Sequence, residues 1–401
     1  GSTSGLSGVS TGSQVLNLVT FVVTQLAMGI TVLIARYLGE KREDQIGSII
    51  GGGTVVFAAI SLVLFVIMVG FARPIAVLMQ APEEAVGLTA AYIRICGAGI
   101  FFIVAYNVLS AIFRGLGDSN SPLLFVFVAC IVNVVGDLVL VAGLGMDAMG
   151  AALATVFAQA LSVVFAIVRL VKKGLPFTIT GYDFRLNPQC GKFLQIGLPL
   201  ALQECLTQGS FLALCAFVNR LGLEASSGYG VACKIVNFAM LIPGALMQST
   251  SSFVSQNVGA GEQKRAKKTM FTGIGIGLLV GCFAFSLVFF RGDLLAGIFS
   301  ADAAVVQRGY EYLKGFAPET LLTAVLFSMM GYFNGNGKTV WVMLQGLIQT
   351  LLVRLPFAYY MSIQPDASLT NIGLAAPIST AVGIVLNVAF FLYLEHAAKR
   401  S

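Results

Sequence analysis

The sequence predicts an all-α protein that crosses a membrane many times, and three observations carry this prediction. Hydrophobic residues make up 57% of the 401 residues and charged residues only 10%, whereas soluble domains carry roughly 25% charged residues. The apolar residues occur in long runs separated by short polar turns, and the second half of the chain repeats the first. Because a bilayer core needs about 20 apolar residues per helix, we expect a polytopic membrane protein.

Eleven apolar runs are long enough to cross a bilayer as helices. They lie near residues 14–37, 48–71, 87–113, 121–143, 149–171, 192–219, 228–256, 268–290, 308–333, 338–362 and 372–394. The short turns between them predict antiparallel neighbours. Prolines interrupt only the runs of the second half, at positions 199, 243, 318, 356 and 377. Since proline removes a helical hydrogen bond, we expect the second half to be the more bent.

The two halves form an internal repeat with an offset of 220 residues. The coinciding pairs are Asn17 with Asn237, Gly39 with Gly259, Tyr92 with Tyr312, Phe113 with Phe333, Gly115 with Gly335 and Gly117 with Gly337. At this offset the counterpart of the run 192–219 precedes residue 1, so we expect eleven of twelve helices here. Six helices per half is an even number, which predicts two lobes related by a pseudo-two-fold axis along the membrane normal.

The repeat and the loops define the predicted organisation of the chain. Residues 1–171 form an N-lobe, residues 172–191 a cytoplasmic linker and residues 192–401 a C-lobe. Loops assigned to one side of the membrane hold sixteen lysines and arginines, and those on the other side hold four. By the positive-inside rule, the first side and the C-terminus face the cytoplasm. We expect a multi-pass protein of the plasma (inner) membrane.

The charge and the cysteines exclude other classes. The basic residues behind the net charge of +6 lie mainly on one side of the membrane, so the charge does not indicate a nucleic-acid partner, and we expect none. The expected partners are membrane lipids and small organic molecules. We expect the protein to be a monomer. Six of the seven cysteines lie within the apolar runs, where they pack as small apolar residues. We expect no disulfide.

Asp137 is the most informative carboxylate within the predicted helices. Asn133 lies one turn earlier on the same helical face. Asp137 and Thr155, which lie on consecutive antiparallel runs, are each roughly 9 Å from the extracytoplasmic end of their run. An acid, an amide and a hydroxyl at one depth could bind a small hard cation such as sodium, or hold a proton on the acid. A structural polar cluster between helices is the alternative.

Two further carboxylates lie within the runs of the second half. Glu204 and Glu319 are predicted to lie within one or two helical turns of one another in depth. An ionised group at mid-bilayer costs about 2.5–3.5 kcal/mol, so each acid needs a proton, a cation or a counter-ion. Arg354 and Lys234 are the candidate counter-ions, and a neutral buried pair of Glu319 with Arg354 is the structural alternative.

The sequence offers no catalytic constellation. His396, the only histidine, ends the last apolar run, which argues against enzymes that use histidine ligands or bases within the membrane. Gly337-Lys338-Thr339 lacks the first glycine of a phosphate-binding loop, because residue 332 is tyrosine. We therefore expect neither an enzyme nor a cofactor beyond a coupling ion.

Five segments together carry a resemblance to a known family. They are Arg114–Asp118, Asn334–Lys338, Asn133–Asp137, Gly197–Glu204 and Arg354–Tyr359. In this order, and with the 220-residue repeat, the chain resembles the multidrug and toxic compound extrusion (MATE) family of bacterial exporters over its whole length. The resemblance implies two six-helix lobes and export of amphipathic, often cationic compounds in exchange for protons or sodium.

The resemblance also implies coupling sites. Family members combine an aspartate on the first helix, an Asn-x-x-x-Asp pair on the fifth and a threonine on the sixth; Asn133, Asp137 and Thr155 match the last two parts. Other members use a glutamate on the seventh helix and an acid on the tenth, for which Glu204 and Glu319 are candidates. Both are displaced along their helices from the pattern of sodium-linked members.

Three other functions remain as rivals. A lipid-linked oligosaccharide flippase of related architecture would need a strongly basic cavity. A membrane-embedded enzyme would show group transfer by the pure protein, and a channel would show sustained single-channel current. An antiporter whose two lobes rock about a central cavity is the preferred hypothesis.

Overall fold

The computed structural model describes residues 3–173, 175, 177 and 179–401. Within these residues all regular structure is helical, which confirms the predicted fold class. The chain forms two compact units, Gly1–Ala201 and Leu202–Ser401. Helices dominate because lipid offers backbone amides and carbonyls no hydrogen-bond partners, and a helix satisfies them internally.

The first unit contains seven helices and the start of an eighth. They are α1 (Thr3–Gly39), α2 (Ile46–Gly70), α3 (Ala72–Leu78), α4 (Val86–Ala98), α5 (Ile100–Gly115), α6 (Asn120–Asp137), α7 (Asp147–Lys172) and α8 (Pro188–Asn219). A π-helical segment, Leu138–Gly143, continues α6 directly after Asp137.

The second unit contains the end of α8 and nine further helices. They are α9 (Leu223–Ala239), α10 (Leu241–Gly259), α11 (Gln263–Phe299), α12 (Ala303–Phe316), α13 (Glu319–Gly335), α14 (Thr339–Leu347), α15 (Leu355–Ser362), α16 (Leu369–Gly373) and α17 (Ala375–Arg400). A second π-helical segment, Ile348–Arg354, joins α14 to α15.

The number of possible membrane spans agrees with the sequence. Among the described residues, nine spans are long and apolar enough to cross a bilayer on their own. Two bent helix pairs, α4 with α5 and α12 with α13, meet the same criterion as pairs and bring the number to eleven. The span Asn120–Gly143 exposes most of its apolar side chains, as expected of a surface that faces lipid.

The larger of the two bends contradicts the expectation that proline sets the curvature. Helices α4 and α5 of the first unit meet at 56°, and the break falls at Gly99, without a proline. A Cβ atom at Gly99 would lie 2.3 Å from Cγ1 of Val156 on α7. The absence of a side chain at Gly99 therefore allows this close approach. The bend of 47° between α12 and α13 does contain a proline, Pro318.

Helix ends confirm the 220-residue repeat in local structure. At the end of α5, the amide of Asp118 donates to the Phe113 carbonyl (2.9 Å), and Gly117 has a positive φ of 82°. At the end of α13, Lys338 donates to Phe333 (2.8 Å), and Gly337 has a φ of 78°. Both ends are Schellman caps, in which glycine tolerates the left-handed conformation. The matched glycines of the sequence therefore end matched helices.

Within the first unit, helices α1 and α8 touch through glycine. A Cβ atom at Gly29 would lie 2.0 Å from the Phe193 carbonyl oxygen, and one at Gly197 would lie 2.3 Å from the Leu26 carbonyl oxygen. Small residues allow such backbone contact where lipid provides no hydrophobic driving force between helices. Phe193 is fully buried at this contact.

Replacing Gly29 with alanine should therefore destabilise the first unit by about 1–3 kcal/mol, because the two backbones must move apart. The measurement is the thermal unfolding midpoint of the purified protein in detergent. Gly275→Ala is the matched control, since a Cβ atom there meets nothing within 4 Å, and alanine in a helix interior is favoured over glycine by about 0.5–1 kcal/mol. Equal midpoints for the two variants would contradict the close contact.

The turn between α5 and α6 carries a pH-sensitive carboxylate. Asp118 accepts hydrogen bonds from the Ser121 amide (3.1 Å), the Ser121 hydroxyl (2.5 Å) and the Lys173 ammonium. Partial burial raises the pKa of Asp118, but the hydrogen bonds from Lys173 and Ser121 outweigh it and lower the pKa to about 2. The folded protein therefore holds this carboxylate ionised.

Asp118 should stabilise the fold above about pH 4, its unfolded pKa, and lose that contribution as the pH falls through about 2. Asp118→Asn is expected to lower stability at pH 6 by on the order of 1 kcal/mol, a value reduced for the exposure of Lys173. The difference from wild type should shrink near pH 2, as measured by thermal unfolding across this range. Asp366→Asn, in an exposed loop, is the control; a difference for Asp118→Asn that does not change with pH would contradict this assignment.

Candidate functional site

Two of the three residues of the predicted cluster in the first unit, Asn133 and Thr155, contact one another between α6 and α7. The Asn133 amide (Nδ2) donates to Thr155 Oγ1 at 3.3 Å, and the Thr155 hydroxyl donates to the Ala151 carbonyl at 3.0 Å. Asp137 lies one turn beyond Asn133, where α6 passes into the π-helical segment. Its Oδ1 atom is buried and has no hydrogen-bond partner among the described residues. Asp137 thus offers an acceptor atom one helical turn from the hydrogen-bonded pair of Asn133 and Thr155.

A buried tyrosine joins this cluster from α4. Tyr92 is 4% exposed, lies within hydrogen-bonding reach of Thr155 and is close enough to Asp137 to interact with its charge. A Cβ atom at Gly12 would lie 2.4 Å from the Tyr92 ring, so α1 packs directly on this side chain. The sequence analysis used Tyr92 only as a landmark of the repeat and missed its place in the site.

Thr155 also lines a polar cavity of about 190 Å³ inside the first unit. Its walls come from α1, α5 and α7, and the lining residues are Leu16, Asn17, Thr20, Ile103, Tyr106, Asn107, Thr155 and Gln159. Every lining side chain is uncharged. The Gln159 Oε1 atom is buried without a hydrogen-bond partner among the described residues. Small hard cations are bound by amide, hydroxyl and carboxylate oxygen ligands.

In the second unit, the structure keeps the two predicted glutamates separate. Glu204 on α8 is half-buried and accepts a hydrogen bond from Gln208 Nε2 at 2.8 Å. No hydrogen bond joins Glu204 to Glu319 among the described residues. The neighbouring Gln203 packs against Gly346 of α14, where a Cβ atom would lie 2.4 Å from its Nε2.

Glu319 stands at the end of a buried chain of hydrogen bonds. The side chain is 5% exposed and begins α13 directly after Pro318. Its Oε1 atom accepts from the Thr380 hydroxyl at 2.6 Å, and Thr380 Oγ1 accepts from Gln349 Nε2 at 3.3 Å. Gln349 Oε1 in turn accepts from Gln345 Nε2 at 2.5 Å. Every hydrogen in the chain points toward the carboxylate.

The second oxygen of Glu319 is the counterpart of Oδ1 in Asp137. Glu319 Oε2 is buried and has no hydrogen-bond partner within the described part of the chain. The sequence missed Thr380, Gln349 and Gln345. The available signal was the occurrence of two amides one helical turn apart in an apolar run, because polar groups at this depth need partners.

The two candidate counter-ions differ in position. Arg354 lies close enough to Glu319 to interact with its charge, donates from Nε to the Ser379 hydroxyl at 3.3 Å, and lies over the Phe211 ring. Lys234 instead lies 5.5 Å from the centre of the Phe299 ring. Among the ion pairs of the described residues, none includes Lys234. The structure thus brings one of the two cations toward an acid.

Comparison with known proteins identifies the family. The MatE family matches residues 2–139 and 199–360, three quarters of the chain. The chain belongs to the MATE family. Its members are transporters rather than enzymes, which confirms the predictions of a multi-pass transport protein without enzymatic activity.

Individual relatives are distant in sequence and close in fold. The chain is 27% identical to the probable multidrug resistance protein YpnP of Bacillus subtilis (strain 168), over 71% of this chain and 64% of YpnP. It is 26% identical to the multidrug export protein MepA of Staphylococcus aureus (strain NCTC 8325 / PS 47), over 80% of this chain and 72% of MepA. An outward-facing multidrug resistance MATE transporter of the MOP superfamily has the same fold, with a TM-score of 0.94, 20% identity, and coverage of 100% of this chain and 90% of that one.

Thr380→Val should lower the stability of this MATE protein by about 1–3 kcal/mol, because it leaves Glu319 Oε1 without its donor in a buried site. The thermal unfolding midpoint in detergent measures this loss. Thr323→Val is the matched control: Thr323 is equally buried, and its hydroxyl donates only to carbonyls of its own helix. A smaller loss for Thr380→Val than for Thr323→Val would contradict a structural role for the chain of hydrogen bonds.

Proposed function

We propose that this MATE protein is a secondary antiporter that exports amphipathic or cationic organic compounds in exchange for protons or sodium ions. Family membership supports the transporter class, and the names of YpnP and MepA associate relatives with multidrug resistance and export. The observation that carries the coupling step is the buried Oδ1 atom of Asp137, which has no hydrogen-bond partner among the described residues and lies one helical turn from the Asn133–Thr155 hydrogen bond.

In the proposed mechanism, ion binding and substrate binding compete. A proton or sodium ion at Asp137 is stabilised by the oxygens of Asn133 and Thr155, and Tyr92 connects this event to α1 and α4. The cavity of about 190 Å³ beside Thr155 receives one part of the substrate, since it is smaller than the roughly 300–1,000 Å³ usual for drug-sized ligands. By thermodynamic linkage, an ion that weakens substrate binding is itself bound more weakly when substrate is present. Rocking of the N-lobe and C-lobe then exposes the sites to alternate sides of the membrane.

The chemistry of the cavity favours drug export over the flippase alternative. A lipid-linked oligosaccharide carries an anionic phosphate group and calls for basic residues. The cavity in the first unit is lined by amides, hydroxyls and apolar groups, without lysine or arginine among its lining residues. Such a surface suits a neutral or cationic amphipathic compound, whose apolar parts pack on residues such as Leu16 and Ile103.

We further propose that Glu319 is a second ionisable site, used in place of Glu204. Glu319 is almost fully buried and near Arg354, and its Oε2 atom has no hydrogen-bond partner in the described part of the chain. Glu204 is more exposed and already accepts a hydrogen bond from Gln208.

We also propose that the C-terminus lies in the cytoplasm, which the distribution of basic residues supports. The proposed working state is a monomer in a lipid bilayer.

Reconstituted protein should export a fluorescent organic cation when a pH or sodium gradient is imposed, and Asp137→Asn should slow this efflux at least tenfold. The neutral amide keeps the shape of the side chain but cannot be protonated or balance a cation. The measurement is dye efflux from proteoliposomes, with each gradient imposed separately. Asp366→Asn, in a loop outside the spans, is the control and should transport at the wild-type rate.

Unchanged coupled efflux in Asp137→Asn, combined with its loss in Glu319→Gln, would move the coupling site to the second unit. Loss of efflux in both variants would mean that both acids are required. No efflux under either gradient, with a well-folded protein, would contradict the antiporter and favour the flippase.

A further inference from the structure

We infer that the end of α7 forms a binding site for the phosphate of an anionic phospholipid. The site is a cavity of about 390 Å³, lined by Phe165, Val168, Arg169, Lys172 and Lys173. All five residues lie on α7 or directly after it, so the site is an open groove along one helix rather than an enclosed pocket. This inference is independent of the transport mechanism proposed above.

The lining residues are ordered by polarity along the helix axis. Phe165 and Val168 lie one to two turns before Lys172, so the cavity extends about 10 Å along α7 from an apolar end to a basic end. The apolar end lies within the membrane span and the basic end closes it. This order matches a phospholipid, whose acyl chains lie in the hydrocarbon and whose phosphate lies at the interface.

Packing holds the apolar end in place. Phe165 contacts the ring of Phe125 edge-on, with centroids 5.9 Å apart, and Phe125 contacts Phe113 in the same way at 5.2 Å. Phe113 and Phe125 are fully buried. Val168, in contrast, is 44% exposed and offers its surface to an acyl chain.

Hydrogen bonds hold the basic end in place. Arg169 donates from Nε to the Ser121 hydroxyl at 2.6 Å, and Ser121 donates to Asp118. Lys173 forms an ion pair with the same Asp118. Lys172 is exposed and belongs to none of the ion pairs formed by described residues. Among the described residues, Asp118 is the one carboxylate bonded to this basic end, through Lys173 and Ser121, and the remaining positive charge of Arg169 and Lys172 calls for an anion.

A phosphate fits this arrangement in geometry as well as in charge. The bond through Nε orients the Arg169 guanidinium, whose terminal amino groups suit bidentate contact with phosphate oxygens. The flexible Lys172 ammonium supplies a second point charge. Basic pockets at the cytoplasmic ends of membrane helices are suited to anionic headgroups, and the distribution of charge in the loops assigns this end of α7 to the cytoplasm.

Basic residues at a helix C-terminus have a simpler explanation, because they also interact favourably with the helix dipole. Another helix of the chain provides a control that separates this explanation from lipid binding. Lys399 and Arg400 lie in the last turn of α17, as Arg169 and Lys172 do in α7. They line neither of the cavities described above. A dipole effect or general surface attraction predicts equal behaviour of the two pairs.

The test measures binding of phosphatidylglycerol to the purified, delipidated protein, by native mass spectrometry and by the shift of its thermal midpoint. Wild type should bind phosphatidylglycerol in preference to phosphatidylcholine. Arg169→Gln/Lys172→Gln should weaken that binding by about 25-fold, because each basic residue near the headgroups contributes about 1 kcal/mol. This variant retains the Lys173–Asp118 ion pair. Lys399→Gln/Arg400→Gln should bind as wild type does.

Equal loss in both double variants, or equal binding of the two lipids, would overturn the inference. Inorganic phosphate at millimolar concentration should not displace the lipid; displacement would identify a free-anion site instead. If Arg169→Gln/Lys172→Gln fails to fold, Val168→Trp provides the decision. It fills the apolar end and should weaken binding, whereas Ile167→Trp, on a similarly exposed neighbour outside the cavity lining, should not.

Discussion

The cost of a charged group inside the membrane is the constraint on which both candidate sites depend. Even on the mildest scale an unpaired carboxylate there costs about 2.5–3.5 kcal/mol, and the two units answer this cost differently. Glu319 receives a hydrogen bond from a chain of three polar side chains and lies near Arg354. Asp137 retains a buried oxygen without a protein donor among the described residues. Glu319 Oε2 likewise has no partner among the described residues, so each acid keeps one oxygen open, and the two differ in the chain of hydrogen bonds that holds Glu319 Oε1.

The internal repeat explains why the two sites can be compared. Tyr92 and Tyr312 coincide at the 220-residue offset, and each is almost fully buried near a carboxylate, Tyr92 near Asp137 and Tyr312 near Glu319. The acids themselves do not coincide. Tyr92 lies in α4 and Asp137 at the end of α6, whereas Glu319 begins α13 about two turns after Tyr312, across the break at Pro318. The repeated fold thus places a buried tyrosine at matching positions, while the carboxylate near it comes from a different helix in each unit.

Sequence reasoning succeeded where a pattern is long or repeated. The eleven apolar runs, the Schellman caps at Gly117 and Gly337, and the contact of Asn133 with Thr155 all follow from periodicity, offset or depth. It failed where a single contact between distant residues decides the geometry. The bend at Gly99 depends on Val156 of another helix, and Thr380 reaches Glu319 across 61 residues. No local pattern encodes either contact, because each arises only when the helices pack.

The directions of the hydrogen bonds make the two acids chemically unequal. At Glu319, Oε1 already accepts from the Thr380 hydroxyl, so a proton or cation that binds this oxygen weakens that bond and the chain through Gln349 and Gln345 behind it. An ion at Oε2 leaves this chain undisturbed. At Asp137, Oδ1 accepts no hydrogen bond from the described residues, so an ion can bind there without disturbing the contact of Asn133 with Thr155. Because the proposed coupling step requires reversible ion binding, these hydrogen bonds support its assignment to Asp137 rather than to the more extensively bonded Glu319.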